Sequence, residues 1–290
     1  MINKNGNLFI ISTPIGNMND ITYRSIKILK KIDYIASENY KNTLKLLNKF
    51  NIHKSIISFH QHNELINTKK IIKILQKNKN VALVSDAGTP TINDPGFYLV
   101  RECHLKKIQV IPLPGACAAI SALSASGIPS NKFCFEGFLP KKEKKRCKIL
   151  KKLKFEKRTI IFYETPHRIK KSLKNILKEF GPNRNMTIAR EITKYWESIK
   201  YNTIYNFYYK YKNNSLICKG EIVLIISGYV KKKKNKLSKK IKKTLSILKS
   251  FLSLKKTALI TSKIHNIKKN NLYKYLIKKQ NNDKTLKLLK

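Results

Sequence analysis

Residues 81–90 read VALVSDAGTP, a short apolar run followed by a loop of small residues, glycine and proline. The four apolar residues are typical of a strand that is buried on both faces in a parallel sheet. In the loop, Gly88 lets the backbone approach a ligand closely, and Pro90 keeps the chain rigid. The stretches ISTPIGN at 11–17 and IPLPGA at 111–116 repeat this pattern. Since ligands bind beyond the carboxyl ends of parallel strands, we expect the three loops to line one binding site.

The N-terminal part of the chain alternates short apolar runs with segments of helical periodicity. Five runs predict strands: Leu8–Ser12, Tyr34–Ala36, Ser55–Phe59, Val81–Val84 and Gln109–Ile111. Strands that alternate with helices, without hairpin signals, favour a doubly wound and mostly parallel sheet. Asp20 is a candidate N-cap for a helix that begins at Ile21, and Asp94 for another with Pro95 in its first turn. We therefore predict an α/β domain over residues 1–127.

A second α/β domain is predicted over residues 128–230, with a more mixed strand order. Its apolar runs are Phe133–Phe138, Thr159–Tyr163, Met186–Ala189 and Glu221–Ser227, and helical segments lie around 143–154 and 167–179. Residues 231–290 begin with a lysine-rich linker and continue as a small helical tail. A break at His265-Asn266 resembles the corner of a helix-turn-helix unit, although short helical bundles also simply pack together.

The chain carries 62 Lys and Arg against 16 Asp and Glu, a formal net charge of +46. A surface this basic favours a polyanionic partner such as RNA. Only seven of the basic residues are arginine, and Lys, Asn and Ile are the residues that AT-rich codons specify. The charge therefore also fits genomic drift, and alone it leaves the partner open.

Cysteine, hydropathy and motif patterns exclude several classes of protein. The five cysteines are odd in number and lack a CxxC pair, which predicts reduced thiols: Cys103, Cys117, Cys134, Cys147 and Cys218. We find neither a signal peptide nor an apolar stretch of about 18 residues, which predicts a soluble cytoplasmic protein. The motifs GxGxxG, GxxxxGKS/T and GxSxG are absent, which argues against dinucleotide binding, NTP hydrolysis and a serine hydrolase.

Several segments match, in order and at compatible spacing, the motifs of a known family. They are Thr13–Asn17, His60–Asn63, Ser85–Pro90, Asn93–Gly96, Pro112–Gly115, Phe135–Pro140, Tyr163–Arg168, Ala189–Lys194 and Lys219–Glu221. Through them the chain resembles, nearly end to end, the ribosomal RNA small-subunit methyltransferase I family, which has the tetrapyrrole-methylase fold. The resemblance implies S-adenosylmethionine-dependent methylation of the ribose 2′-oxygen of a decoding-centre cytidine in 16S rRNA, whose base a separate enzyme methylates at N4. It also implies a homodimer that acts on rRNA, within the small ribosomal subunit, without a metal ion.

The resemblance implies that the cofactor binds in the cleft between the two α/β domains. The residues that it assigns to the cofactor are Pro14, Ile15, Gly16, Asp86, Gly88, Thr89, Pro90, Pro114, Gly115, Ala116, Tyr163 and Gly220. Because the methyl group of this cofactor is already activated, the protein mainly has to hold the ribose oxygen in line with it.

A general base would assist by removing the hydroxyl proton. The motifs contain four candidate carboxylates, Glu38, Asp86, Glu191 and Glu221, of which we favour Glu38 and Glu191 as catalytic. Each of them also fits a helix cap or a partner for lysine. In the tight turn after the fourth strand, a carboxylate equally fits an acceptor for backbone N–H groups.

Arginine offers phosphate two parallel hydrogen bonds, so the arginines in the motifs are candidates for RNA contacts. The candidate RNA-binding residues are Arg24, His60, His62, Arg168, Arg190 and Lys194. Tyr163 and Trp196 fit either stacking on an extruded base or packing in the core. Glu64 lies near the two histidines, which permits a metal site geometrically, but methyl transfer needs no metal and we expect none.

One segment departs from the family pattern. Where the family has an acidic residue followed by Asp-Thr-Arg, this chain has Glu38-Asn39-Tyr40-Lys41. If the family carboxylate serves catalysis, activity is reduced and the chain is a ribosome-binding assembly protein. If that carboxylate caps a helix, Asn39 replaces it at little cost. Two further hypotheses are a DNA-binding regulator that uses the helical tail and an enzyme that methylates a tetrapyrrole.

Overall fold

The structure, a computed structural model, describes residues 5–213, 219–231 and 237–277. The chain divides into two compact units, Met1–Val230 and Lys231–Lys290. The first unit contains two five-stranded sheets. Four of the cysteines are free thiols, and Cys218 lies outside the described residues.

The first sheet is parallel throughout. Its strands are β1 (Leu8–Ile11), β2 (Tyr34–Ser37), β3 (Ser55–Ser58), β4 (Val81–Val84) and β5 (Val110–Leu113). The helices that follow them in turn are α1 (Tyr23–Lys31), α2 (Tyr40–Lys49), α3 (Glu64–Gln76), α4 (Phe97–Leu105) and α5 (Ala118–Ser124). The strand order is β3-β2-β4-β1-β5, which confirms the predicted doubly wound sheet.

The first sheet separates two apolar cores. Val81 and Leu83 of β4 point into a core with α3 and α4, whereas Ala82 and Val84 point into a core with α1 and α2. All four residues are buried, which is why this strand has no polar residue at alternate positions. β4 therefore lies at the centre of the sheet, beside β1, and fixes where the loops after both strands meet.

The second sheet is mixed, as the sequence predicts. Its strands are β6 (Phe133–Phe138), β7 (Thr159–Glu164), β8 (Asn185–Arg190), β9 (Ser198–Thr203) and β10 (Ile222–Ile226), in the order β6-β7-β10-β8-β9. Its helices are α6 (Glu143–Leu153), α7 (Ile169–Phe180) and α8 (Ile204–Lys212). β6 and β7 are parallel, and the other neighbours are antiparallel. Ala119 and Ala122 of α5 pack with Val223 and Ile225 of β10, so this helix brings the end of the first sheet against the second.

Two helix starts differ from the prediction. Asp20 ends a short 3₁₀ turn, and Thr22 caps α1 by accepting a hydrogen bond from the backbone N–H of Ser25 at 3.1 Å. Asp94 is not a cap either, because α4 begins three residues later, after Gly96 at a φ of +132°. The orphan N–H groups of α4 are instead satisfied by a side chain from another helix.

That side chain is the buried carboxylate of Glu64, at the start of α3. Its Oε1 accepts hydrogen bonds from the backbone N–H groups of Gly96 at 2.8 Å and Tyr98 at 3.2 Å. A negative charge at a helix N-terminus also interacts favourably with the helix dipole. Glu64 therefore caps α4 across space, from the start of another helix.

Glu64→Ala is expected to lower the free energy of unfolding by about 2 kcal/mol, because two backbone N–H groups lose a buried charged acceptor. Urea unfolding measures this loss. Glu102→Ala removes a carboxylate from the body of α4, away from the N-terminal N–H groups, and should cost less than about 0.5 kcal/mol. Equal losses in the two variants would contradict the assignment of the cap.

The second unit contains helices α9 (Lys239–Phe251) and α10 (Leu254–His265), and residues 269–277 are also helical. Leu245, Ala258, Leu272 and Leu276 form its apolar core. Asn266 ends α10 in the left-handed conformation, at the break that the sequence indicates. Among the described residues of the whole chain, no helix has the length and apolar character needed to cross a bilayer.

Candidate active site

A cavity of about 610 Å³ lies where the loops after β1 and β4 face the ends of β7 and β10. Both sheets contribute to its walls. The structure brings together there these residues singled out from the sequence: Ile15, Glu38, Asp86, Gly88, Thr89, Tyr163, Glu191, Lys194 and Gly220. Cavities of this size accommodate ligands as large as common cofactors.

Hydrogen bonds lock the three glycine- and proline-containing loops to one another. Thr13 and Gly88 exchange two backbone hydrogen bonds, at 2.9 and 3.0 Å. The hydroxyl of Thr89 donates to the carbonyl of Ala116 at 3.0 Å and accepts from the hydroxyl of Ser12 at 2.9 Å. The loops after β1 and β4, which line the cavity, are therefore held in place by each other and by the loop after β5.

Two glycines on the cavity wall have backbone conformations that other residues rarely adopt. Gly88 has a φ of +90°, and a Cβ atom there would lie 3.4 Å from Cγ2 of Ile15. Gly220 has a φ of +83°, and a Cβ atom there would collide with the carboxyl group of Glu191. Gly88 therefore presents its backbone without a side chain, whereas the carboxyl group of Glu191 occupies the space beside Gly220.

Three carboxylates face the cavity from the first sheet. Glu38 accepts a hydrogen bond from the backbone N–H of Asp86 at 3.2 Å, and Asp86 accepts from the side-chain amide of Asn42 at 2.6 Å. Burial, together with the nearby charges of Glu38 and Asp86, raises the pKa of Asp94 to about 7, although a hydrogen bond from Ser85 acts in the opposite direction. Near neutral pH, Asp94 therefore exchanges a proton readily.

On the second sheet, two carboxylates hold one ammonium group. Nζ of Lys194 lies 3.1 Å from Oε1 of Glu191 and 3.2 Å from Oε2 of Glu221. Partial burial opposes the charged form of Glu191, but the backbone N–H of Glu221 and the ammonium of Lys194 together lower its pKa. Burial likewise opposes the charged form of Lys194, and the two carboxylates raise its pKa. Glu191 is thus held as an ionised partner for Lys194.

The remaining residues predicted for the cofactor, Ala116 among them, are not part of the lining of this cavity. Pro14 and Gly16 line an adjoining pocket of about 180 Å³, which shares Asp86 with the main one. Pro90 is buried beneath its loop, whereas Pro114 and Gly115 are exposed outside the cavity lining.

Two of the arginines predicted to contact RNA bind to groups within the protein instead. The guanidinium of Arg168 pairs with Glu164 at 3.1 Å and donates to the carbonyl of Leu139 at 3.0 Å. That of Arg190 donates to the carbonyls of Trp196 at 2.8 Å and Lys219 at 3.3 Å. Both guanidinium groups are engaged by internal acceptors.

The other RNA candidates differ in exposure. Arg24 and His62 are exposed to solvent. The ring of His60 is half-buried, and its Nε2 lies 3.1 Å from the side-chain amide of Asn63. In the described ranges, no group of three or more His, Cys, Asp or Glu side chains is placed to hold a metal ion.

The departure at residues 38–41 lies at the N-terminus of α2. Asn39 is the N-cap, and its side-chain oxygen accepts a hydrogen bond from the backbone N–H of Asn42 at 3.3 Å. Asparagine and aspartate are almost equally good caps. Lys41 is exposed in the first turn. The amide therefore performs the capping role, which is one of the two roles that the sequence allows at this position.

Sequence reasoning missed Asp94 as a cavity residue because it interpreted this position as a helix cap. A signal was present in TINDPG, residues 91–96, where a run of turn-forming residues precedes the helix. In the structure Thr91 and Asn93 have φ values of +72° and +68°. Such strained backbone is concentrated at functional sites.

Comparisons with known proteins agree with this architecture. The family of tetrapyrrole (corrin/porphyrin) methylases matches residues 7–207. Among solved structures, the methyltransferase CobJ is similar with a TM-score of 0.56 and 17% identity, covering 77% of this chain and 94% of that one. Uroporphyrin-III C-methyl transferase from Thermus thermophilus, complexed with S-adenyl homocysteine, is similar with a TM-score of 0.53 and 13% identity, covering 77% and 97%. At these identities the likeness concerns the fold.

Curated relatives are much closer in sequence. A protein of Buchnera aphidicola subsp. Acyrthosiphon pisum (strain APS) named ribosomal RNA small subunit methyltransferase I is 53% identical over 278 residues, covering 95% of this chain and 98% of that protein. The protein of the same name from Escherichia coli O157:H7 is 46% identical over 278 residues, covering 96% and 97%. The similarity therefore extends over nearly the whole length of both chains.

Proposed function

The chain belongs to the ribosomal RNA small subunit methyltransferase I family of tetrapyrrole methylases, and from this premise we propose that it methylates the ribose 2′-oxygen of a decoding-centre cytidine in 16S rRNA. The single observation that carries the proposal is the cavity between the two sheets. Its walls include Gly88, which has no side chain, the carboxyl group of Asp94, whose pKa is raised to about 7, and the ammonium group of Lys194, which two carboxylates hold.

The cavity wall fits S-adenosylmethionine as the cofactor. Gly88 lines it without a side chain, and Ile15 and Val223 add apolar surface. When bound, S-adenosylmethionine supplies a methyl group activated by its sulfonium centre. The chain's own residues then have to bind and orient the two reactants, exclude water and accept one proton.

We assign proton acceptance to Asp94. It faces the cavity beside Glu38 and Asp86, and unlike Glu191 it has no cationic partner among the described residues. Asp94 would take the hydroxyl proton as the methyl group passed from the sulfonium sulfur to the ribose oxygen, the sulfur keeping the electron pair of the broken bond as a neutral thioether. The role of Glu191 is then to orient Lys194, whose ammonium lines the same cavity.

The resemblance also motivates a proposal about assembly. We propose that the protein acts as a homodimer on the small ribosomal subunit. Sedimentation of the free protein tests the first part, and comparison of naked 16S rRNA with assembled subunits as methyl acceptors tests the second.

The proposed reaction is tested directly with methyl-labelled S-adenosylmethionine. The purified protein is incubated with small subunits from a strain that lacks ribose methylation in the decoding centre, and the label is mapped to a nucleotide. We expect a 2′-O-methyl group on the decoding-centre cytidine. Label on a base, on another nucleotide or nowhere would contradict the proposal, and subunits that already carry the modification serve as the control.

The double variant Asn39→Asp with Lys41→Arg is expected to change kcat by less than about threefold, since the structure gives Asn39 a capping role that aspartate fulfils equally well. Steady-state methylation measures the change. An increase of 100-fold or more in kcat would instead favour a catalytically weakened assembly protein.

A further inference from the structure

The turn between β8 and β9 is held rigidly by its own hydrogen bonds. Glu191 and Thr193 have φ values of +52° and +65°, and the guanidinium of Arg190 donates to the carbonyl of Trp196 at 2.8 Å. The backbone N–H of Thr193 donates to the carboxylate of Glu197 at 2.6 Å. Its conformation is therefore fixed before any partner binds.

The same turn is tied to the wall of the cavity. The hydroxyl of Thr193 accepts a hydrogen bond from the backbone N–H of Asn17, in the loop after β1, at 3.0 Å. Lys194 follows at once and lines the cavity. The two residues after Lys194 follow it directly in the chain and are not part of the cavity lining.

Those two residues are large aromatics that the fold leaves in solvent. The side chain of Tyr195 is 90% exposed and that of Trp196 is 66% exposed. Their rings meet edge to face, with centroids 4.9 Å apart and planes at 89°. Adjacent exposed aromatics on a rigid turn are not explained by packing, and they offer ring faces to a partner.

We propose that Tyr195 and Trp196 form a stacking platform for an unpaired base of the RNA next to the methylated nucleotide, an inference that rests on the proposed function. Sequence-specific RNA recognition relies on splayed bases that stack on aromatic side chains. Stacking of this kind is sequence-tolerant and strengthens binding substantially for each base. The phosphates that accompany such a base complement the overall charge of +46.

Intrinsic fluorescence can follow binding at this platform, because Trp196 is the single tryptophan of the chain. The full-length protein is titrated with a short single-stranded oligoribonucleotide of decoding-centre sequence, and with inorganic polyphosphate as an electrostatic control. We expect the oligoribonucleotide to quench the tryptophan emission at saturation, and polyphosphate to bind without quenching.

Variants of the platform residues distinguish a loss of base stacking from a loss of folding. Trp196→Ala is expected to weaken oligoribonucleotide binding about tenfold, whereas Trp196→Phe, which keeps a ring, should stay within about threefold of the parent. Tyr23→Ala is the matched control, since Tyr23 is a 73% exposed aromatic on α1, and it should leave affinity unchanged. Anisotropy of a labelled oligoribonucleotide measures all three affinities.

Three outcomes would contradict the proposed stacking platform. The first is RNA binding without quenching, and the second is a Trp196→Ala variant with unchanged affinity. The third is a Trp196→Ala variant that sediments as a monomer where the parent is a dimer, because the aromatic pair would then be a subunit contact. Failure of the proposed function is distinguishable: quenching would persist while subunits receive no label on the ribose.

Discussion

Asp94→Asn is expected to lower kcat by about 100- to 1,000-fold, while the Kd for S-adenosylmethionine stays within about threefold of the parent value. The asparagine side chain has nearly the same size and keeps a hydrogen-bond acceptor for Ser85. It has no site that accepts a proton from the ribose hydroxyl. A loss confined to kcat identifies a base, whereas a large rise in Kd would identify a carboxylate that holds the cofactor.

The pH dependence gives a second measure of the same role. Burial and the charges of Glu38 and Asp86 raise the pKa of Asp94 to about 7, and its carboxyl group also faces Tyr163, whose pKa burial raises to about 12. Since only ionised Asp94 accepts a proton, kcat of the parent should rise with pH and level off above this pKa. A bound cationic sulfonium would move the rise to lower pH. The asparagine variant should lose the rise altogether.

The pH dependence of stability distinguishes a catalytic role of Asp94 from a structural one. The pKa of Asp94 is raised from 3.8 in the unfolded reference to about 7 in the fold, so the folded protein binds the extra proton between these values. Stability contributed by this group is therefore present at low pH and is lost as pH rises through about 7. Above that pH, Asp94→Asn should be at least as stable as the parent in urea unfolding.

The control for this variant is Asp20→Asn, which changes an exposed carboxylate in a 3₁₀ turn and should leave kcat unaltered. If Asp94→Asn retains kcat within about threefold, Asp94 is not the base. Glu38, which faces the same cavity and was favoured from the sequence, would then be the next carboxylate to test.

The sequence predicts the strands of the fold correctly where both faces of a strand are buried. Both faces of β4 and β10 are buried, and uninterrupted apolar runs in the sequence predict such strands. β9 was missed because it is an edge strand in which Lys200 and Tyr201 are exposed, so it has neither an apolar run nor a clean alternation. α8 was missed because its apolar face consists largely of aromatic residues, which are weak helix formers.

The site could be predicted only in part, since a motif shows which residues matter but not what they contact. Gly88 and Thr89 line the cavity because glycine-containing loops follow parallel strands, a rule that the sequence alone can invoke. Arg168 and Arg190 were assigned to phosphate on residue type, yet their partners are carbonyls and a carboxylate that only the fold brings near. The role of Asp94 depends in the same way on Glu38, far away in the sequence.

Gly88→Val is expected to raise the Kd for S-adenosylmethionine by about 100-fold. A branched side chain would start 3.4 Å from Cγ2 of Ile15 and fill part of the space that faces the bare backbone. Overpacking of this kind costs up to about 3 kcal/mol, and each 1.4 kcal/mol is a tenfold change in affinity. Isothermal titration with the cofactor measures the change, and Gly88→Ala, whose Cβ makes only ordinary contact, should give a smaller rise.

Strain at a positive φ also destabilises the fold, so the binding loss needs a control with the same strain. Gly181 has a φ of +86°, close to the +90° of Gly88, and a Cβ atom there would meet nothing within 4 Å. Gly181→Val should therefore cost a comparable free energy of unfolding, about 1–3 kcal/mol, with the Kd for the cofactor unchanged. If the two valine variants bind the cofactor equally well, the wall formed by Gly88 does not contact it, and the cofactor site lies elsewhere in the cavity. If only Gly88→Val loses binding, strain is excluded as the cause, because both variants share it.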